Sequence, residues 1–201
     1  MLYNGYIIIL ALTLGFTFCR NESEDIRKVV DNVTKLLDRT DLFIADHPVG
    51  VESRVQDIIQ LLNSQQSKDS ILIGIWGMGG IGKTTIAKAA YNKIRHDYET
   101  KCFLLNVREV WEQDNGEVSL QQRLLSDIYK TTKIKIGTVE SGKMILQERL
   151  SQKRIFLVLD DVNKLDQLNA LCGSREWFGQ GSIIIITTRD GDVLRRLEVD
   201  Y

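Results

Sequence analysis

The apolar positions of this chain keep one rhythm up to residue 70 and another beyond it. From Asn21 to Arg39, the residues Ile26, Val29, Val30, Val33, Leu36 and Leu37 fall at i, i+3, i+4, i+7 spacing, which predicts one amphipathic helix. Asn21 can cap it, and Glu22, Glu24 and Asp25 suit its electropositive first turn. Such a helix needs an apolar partner for its buried stripe. Thr40 to Val49 reads as a connector and holds the only proline, Pro48. Val55, Ile58, Ile59, Leu61 and Leu62 then predict a second helix over roughly Glu52–Gln65.

From residue 71 onward short apolar runs alternate with helical segments. The runs predict strands at Ile71–Trp76, Phe103–Val107, Ile155–Asp160 and Ser182–Thr187. Helices are expected near Lys83–Arg95, Leu120–Thr131, Val139–Gln152 and Asp166–Leu171. Arg108 to Val118 is charged, contains Gly116 and reads as an exposed loop. A last helix starts near Gly191 and is expected to run to the end of the chain. Unbroken apolar strands separated by helices imply an α/β fold in three layers, a parallel sheet covered on both faces.

Between the first strand and the first helix of that series stands Gly77-Met78-Gly79-Gly80-Ile81-Gly82-Lys83-Thr84, a GxxxxGK[ST] segment. A strand before it and a helix after it are the context in which this spacing becomes a phosphate cradle, a P-loop. Gly77, Gly79, Gly80 and Gly82 let backbone N–H groups converge on phosphate oxygens, and the helix N-terminus adds partial positive charge. Lys83 brings an ammonium to the β- and γ-phosphates, the Thr84 hydroxyl is a ligand for Mg²⁺, and Thr85 can donate to the α-phosphate. The chain is therefore expected to bind a purine nucleoside di- or triphosphate with Mg²⁺.

Asp160 ends the apolar run Ile155–Leu159 and is the expected partner of Thr84 around Mg²⁺. Asp161 is a general base for an attacking water or, equally well, a turn cap. Arg189 follows the strand Ser182–Thr187, at the sheet end where open α/β folds bind ligands. It reads either as a γ-phosphate sensor or as one half of a surface ion pair.

Composition changes this picture little. A net charge of −1 gives no reason to expect nucleic acid as a partner, and Lys133 with Lys135 and Arg195 with Arg196 read as solvated faces. Cys19, Cys102 and Cys172 form no CxxC, and His47 and His96 stand alone, so neither a disulfide framework nor a zinc site is indicated. Tyr6–Phe18 is an uncharged apolar run, short of the roughly twenty residues of a membrane span. It has the length of a signal-peptide core, but no Lys or Arg precedes it and no A-x-A-like cleavage site follows. Cytoplasmic residence is expected. Membrane association or secretory routing would have to run through residues 6–18, and the competing reading is a remnant strand or a foreign leader.

Taken together, GIWGMGGIGKTTIAKAAYNKI (Gly74–Ile94), FLLNVREV (Phe103–Val110), RIFLVLDDV (Arg154–Val162) and GSIIIITTRD (Gly181–Asp190) resemble the NB-ARC domain of plant NLR immune receptors. The FLLNVRE stretch, and the lack of Trp after Asp161-Val162, resemble the TIR-type branch. RNESEDIRKVVDNVT and HPVGVESRV are similar to the family's linker. The resemblance covers residues 20–201 and divides the chain into an apolar segment (1–20), a helical linker (21–48) and an incomplete nucleotide-binding subdomain (49–201).

What the resemblance implies is an ADP/ATP switch of the STAND class with slow turnover at most, partnered by other receptor chains or signalling proteins. It places Val49 and Gly50 at the adenine, Lys83 and Thr84 at phosphate and Mg²⁺, Asp160 at the metal, Asp161 at the hydrolytic water and Arg189 at the nucleotide as sensor. No TIR domain precedes residue 20 and no GLPL or MHD segment follows, so C-terminal truncation and weakened nucleotide affinity are expected. Two other functions stay open: a general P-loop NTPase enzyme, and an adaptor or decoy that pairs with full-length receptors.

Overall fold

A computed structural model describes residues 41–46, 48–64, 70–129 and 135–201, and the unit considered below is Phe43–Tyr201. The apolar run at residues 6–18 and the helix expected over Asn21–Arg39 lie outside the described residues.

Four strands build the sheet: β1 (Ser70–Trp76), β2 (Thr100–Leu104), β3 (Ile155–Val162) and β4 (Ser182–Thr188). All pairings are parallel and the order is β1-β4-β3-β2. Hydrophobic burial explains why the two central strands carry the longest apolar runs. Ile155 to Leu159 and Ile184 to Ile186 are completely buried, because helices cover both faces. On one face Leu157, Leu159, Ile184 and Ile186 join Leu72, Cys102 and Leu104. Against them pack α4 (Gly116–Tyr129), α5 (Val139–Leu150) and α6 (Leu165–Leu171) through Leu120, Leu124, Leu146, Leu150, Leu168 and Leu171. On the other face α2 (Lys83–Ile94) stacks Tyr91 on Phe156 at 5.4 Å and sets it edge-on to Phe103. The helix α1 (Val51–Ser64) packs against α2 and buries Val55 and Ile58. The three-layer P-loop NTPase fold expected from the sequence is the fold observed.

Three expectations need correction. The strand expected over Phe103–Val107 stops at Leu104, because Asn106 takes a left-handed φ of 54° and Val107 opens a helix, α3 (Val107–Trp111). Asparagine tolerates that conformation better than most residues. The charged stretch Arg108–Val118 is therefore a helix and a tight turn rather than an open loop. Its apolar members Val110 and Trp111, with Val107 just before them, pack on the core, and Glu109 and residues 112–115 are exposed. Finally, the last helix, α7 (Gly191–Leu197), ends inside the chain. Glu198 turns it off at φ 53°, and residues 200–201 run beside β1. There the Asp200 N–H donates to Leu72 O and the Gly74 N–H to Tyr201 O, satisfying groups on the open edge of β1.

Gly116 shows how tight the corrected turn is. A Cβ there would lie 1.8 Å from the Val110 carbonyl oxygen, a backbone atom that cannot swing away. Gly116→Ala is expected to destabilise the chain by about 3 kcal/mol, the upper end for overpacking. Urea unfolding should show a lower midpoint with an unchanged slope; equal midpoints would mean that the turn is looser than described.

Candidate functional site

Parallel pairing carries β1, β3 and β4 out of the sheet at one end, in the order β1-β4-β3. Register aligns Trp76 with Thr188 and Val162 with Thr188, so the segments after these residues are neighbours. Gly77 to Gly82 follows β1 and leads into α2. Gly80 and Gly82 have φ values of 81° and 96°, which glycine alone adopts at little cost, and open space lies where their side chains would be. Gly82 caps α2 without any side-chain hydrogen bond, and the first intrahelical bond runs from the Ile86 N–H to Gly82 O. The N–H groups of Lys83, Thr84 and Thr85 therefore have no partner within the helix and face outward from its positive end.

Lys83 is buried, and its Nζ donates to Gly77 O at 2.7 Å and to Met78 O at 2.8 Å. The ammonium thus sits across the loop as its floor. Two of its three donors are engaged, leaving one for an anion. Met78 and Ile81, with Trp76 just before them, are exposed apolar residues around this loop.

Asp160 is fully buried at the end of β3. Its Oδ1 accepts from the Thr84 hydroxyl at 2.8 Å and from the Thr187 hydroxyl at 2.7 Å. Its Oδ2 is buried with no hydrogen-bond partner among the described residues. An orphaned carboxylate oxygen is costly in a protein interior, and beside a hydroxyl whose lone pairs are free it suits a hard cation. Among the described residues no group of three or more His, Cys, Asp and Glu can hold a metal, so any Mg²⁺ here depends on this one carboxylate, Thr84, water and phosphate oxygens. Thr187 is a site residue that the sequence reading missed. The polar tip of the isoleucine run in β4 was the signal available.

Asp161 departs from the strand. A register shift lies between Leu159 and Val162, and Asp161 has φ 57°. Its N–H donates to Thr187 Oγ1 at 2.9 Å, while its oxygens accept from Arg108 Nε at 2.9 Å and Arg189 Nε at 3.2 Å. The other edge of Arg189 approaches the loop, since its Nη1 lies 3.3 Å from where a Cβ on Gly79 would be. Of the two alternatives for Arg189, the ion pair is present, and the same side chain also lies beside the glycine loop. Val49 and Gly50 are different. Val49 is exposed, Gly50 stands in open space, and no hydrogen bond among the described residues ties either to the loop. The neighbouring Glu52 pairs instead with Lys93, near the C-terminal end of α2.

The buried thiols stay apart from this chemistry. Burial pushes Cys172 up to about 12, and burial together with the adjacent Asp127 carboxylate pushes Cys102 well above the ordinary thiol range. Neither supplies a thiolate near neutral pH.

The NB-ARC domain model matches residues 51–200. The chain belongs to the NB-ARC family. Among its relatives is disease resistance protein RUN1 of Vitis rotundifolia, 40% identical over 180 residues, which are 89% of this chain and 13% of that protein. TMV resistance protein N of Nicotiana glutinosa is 34% identical over 189 residues, 90% of this chain and 16% of its own length. Probable disease resistance protein RPP1 of Arabidopsis thaliana is 36% identical over 188 residues, 90% of this chain and 15% of its own. This NB-ARC chain therefore spans well under a fifth of the length of these relatives. NB-ARC domains are nucleotide-binding P-loop NTPase domains, in keeping with the fold and with the loop after β1. No helix among the described residues is long and apolar enough to cross a membrane.

Proposed function

We propose that this chain is the nucleotide-binding subdomain (residues 49–201) of a plant immune-receptor switch, taking ADP or ATP with Mg²⁺ and turning ATP over slowly at most. One observation carries the reading: the open N-terminus of α2, floored by the Lys83 ammonium, stands beside the Asp160 carboxylate with its unpartnered oxygen. In this reading Gly77, Gly79, Gly80 and Gly82 shape the cradle, and backbone N–H groups through Thr85 meet the phosphates. Thr84 and Asp160 would hold Mg²⁺, which when bound neutralises phosphate charge. Arg189 meets the terminal phosphate, and Val49 and Gly50 remain open to the adenine. The relatives are named as resistance proteins, which supports a role in plant defence signalling; cytoplasmic residence and pairing with other receptor chains belong to the same proposal.

Slow turnover is part of the same proposal, and Asp161 supports it: each of its oxygens already accepts from a guanidinium group, so the carboxylate is engaged by two arginines before any water arrives. Calorimetric titration of the purified chain with ADP and ATP, with and without Mg²⁺, tests the proposal. Saturable one-to-one binding strengthened by Mg²⁺ is expected. No binding at millimolar nucleotide would end it, and rapid steady-state hydrolysis would mark a P-loop enzyme instead.

A further inference from the structure

Arg108 stands in no glycine loop and at no strand end, yet it touches the site. The left-handed Asn106 turns the chain out of β2, buried Val107 anchors α3, and Arg108 in the first turn of that helix reaches across to β3. Its Nε donates to Asp161 Oδ2 at 2.9 Å. The second oxygen of the same carboxylate accepts from Arg189 Nε at 3.2 Å. Asp161 is itself held in a conformation unfavourable for a non-glycine residue, with its N–H tied to Thr187. Arg189 is more than half exposed, and only its Nε edge is tied to Asp161; its Nη1 leans on the loop at Gly79. A long side chain with that much exposure has many rotamers, and a fixed carboxylate on one edge removes most of them.

We propose that Arg108 is a positioning residue: through Asp161 it orients Arg189 so that the outer guanidinium edge faces the third phosphate of a nucleoside triphosphate. This rests on the nucleotide-binding reading above and adds to it a determinant of preference for triphosphate over diphosphate. A diphosphate has no third phosphate for Arg189 to meet, so loss of the relay weakens ATP more than ADP. Asp161 then acts as a link between two arginines, whereas a proton-accepting role alone would affect hydrolysis and leave the relative affinities unchanged. Each arginine meets Asp161 through its Nε–H, and lysine carries a methylene at that position, so an ammonium does not reproduce the contact.

The test compares affinities of the 201-residue chain for Mg²⁺-ADP and for Mg²⁺ with a non-hydrolysable ATP analogue. Arg108→Gln is expected to lower the analogue's affinity relative to ADP by about three- to tenfold, as loss of a charge-assisted contact requires. Asp161→Asn lowers it at least as far, and the double variant is no worse than Asp161→Asn alone, because the two residues act in series. Should Arg108→Gln fail to fold, Arg108→Lys keeps the charge without the fork and must move the ratio the same way. If nucleotide binds but Arg108→Gln (or, in its place, Arg108→Lys) leaves the ratio within twofold of the parent, the relay is wrong and the binding site stands. A rise in triphosphate preference in Asp161→Asn also overturns it, since the carboxylate would then be withholding Arg189. A parent chain that binds neither nucleotide overturns the underlying reading and this inference with it.

Discussion

Replacing Lys83 with alanine is expected to weaken ADP binding by roughly 10- to 100-fold, the equivalent of losing one hydrogen bond to a charged group. The ammonium is buried beneath the loop and held by the carbonyls of Gly77 and Met78, so its position is set before any ligand arrives. That preorganisation is why the loss should be large, because no ordering of a flexible side chain offsets the contact. The fold should survive, since the bonds lost join Lys83 only to the loop itself. Lys83→Arg is expected to fail as well despite its charge, because a planar guanidinium does not fit between those two carbonyls and a phosphate. Calorimetry on the parent and both variants decides it. ADP affinities within twofold of the parent would remove the loop from the binding site.

The second large effect concerns the metal. Asp160→Asn keeps a carbonyl oxygen for Thr84 and Thr187 but removes the charge that the unpartnered Oδ2 offers to a cation. In the nucleotide complex, the Mg²⁺ concentration needed for half-maximal tightening of ATP binding should rise by about 10- to 100-fold, as it does when groups that orient a metal's ligands are lost. Chelating Mg²⁺ should then weaken ATP binding in the parent and change little in the variant. A Mg²⁺ titration with the same midpoint in both proteins would assign the metal elsewhere, and Asp160 would be left as an anchor for two threonine hydroxyls.

Much of this architecture could be read from residues alone, for identifiable reasons. Apolar runs of four to six residues with no polar interruption can be stable only inside a sheet covered on both faces, so β3 and β4 announced themselves. The glycine loop was equally legible, since closely spaced glycines between apolar and helical runs mark a turn from a strand into a helix. Where the reading went astray, local signals were outweighed. Phe103–Val107 is apolar enough for a strand, but left-handed Asn106 breaks it. Charges over Arg108–Val118 suggested solvent, while Val107, Val110 and Trp111 at helical spacing turned the segment inward.

What the sequence by itself determined is the fold and the glycine loop between β1 and α2, because both arise from interactions between residues close along the chain or from unbroken apolar character. Only the tertiary structure decided how the two aspartates divide. In a regular strand adjacent side chains point to opposite faces. The register shift and the left-handed Asp161 instead give one carboxylate to Thr84 and Thr187 and the other to Arg108 and Arg189. Those partners lie 26 to 76 residues away along the chain in the contacts from Thr187, Arg189, Arg108 and Thr84, and no local pattern encodes such a meeting. It exists because parallel strands bring β3 and β4 out at the same end of the sheet, where burial leaves each charge to find whatever opposite charge or hydroxyl the neighbouring element presents.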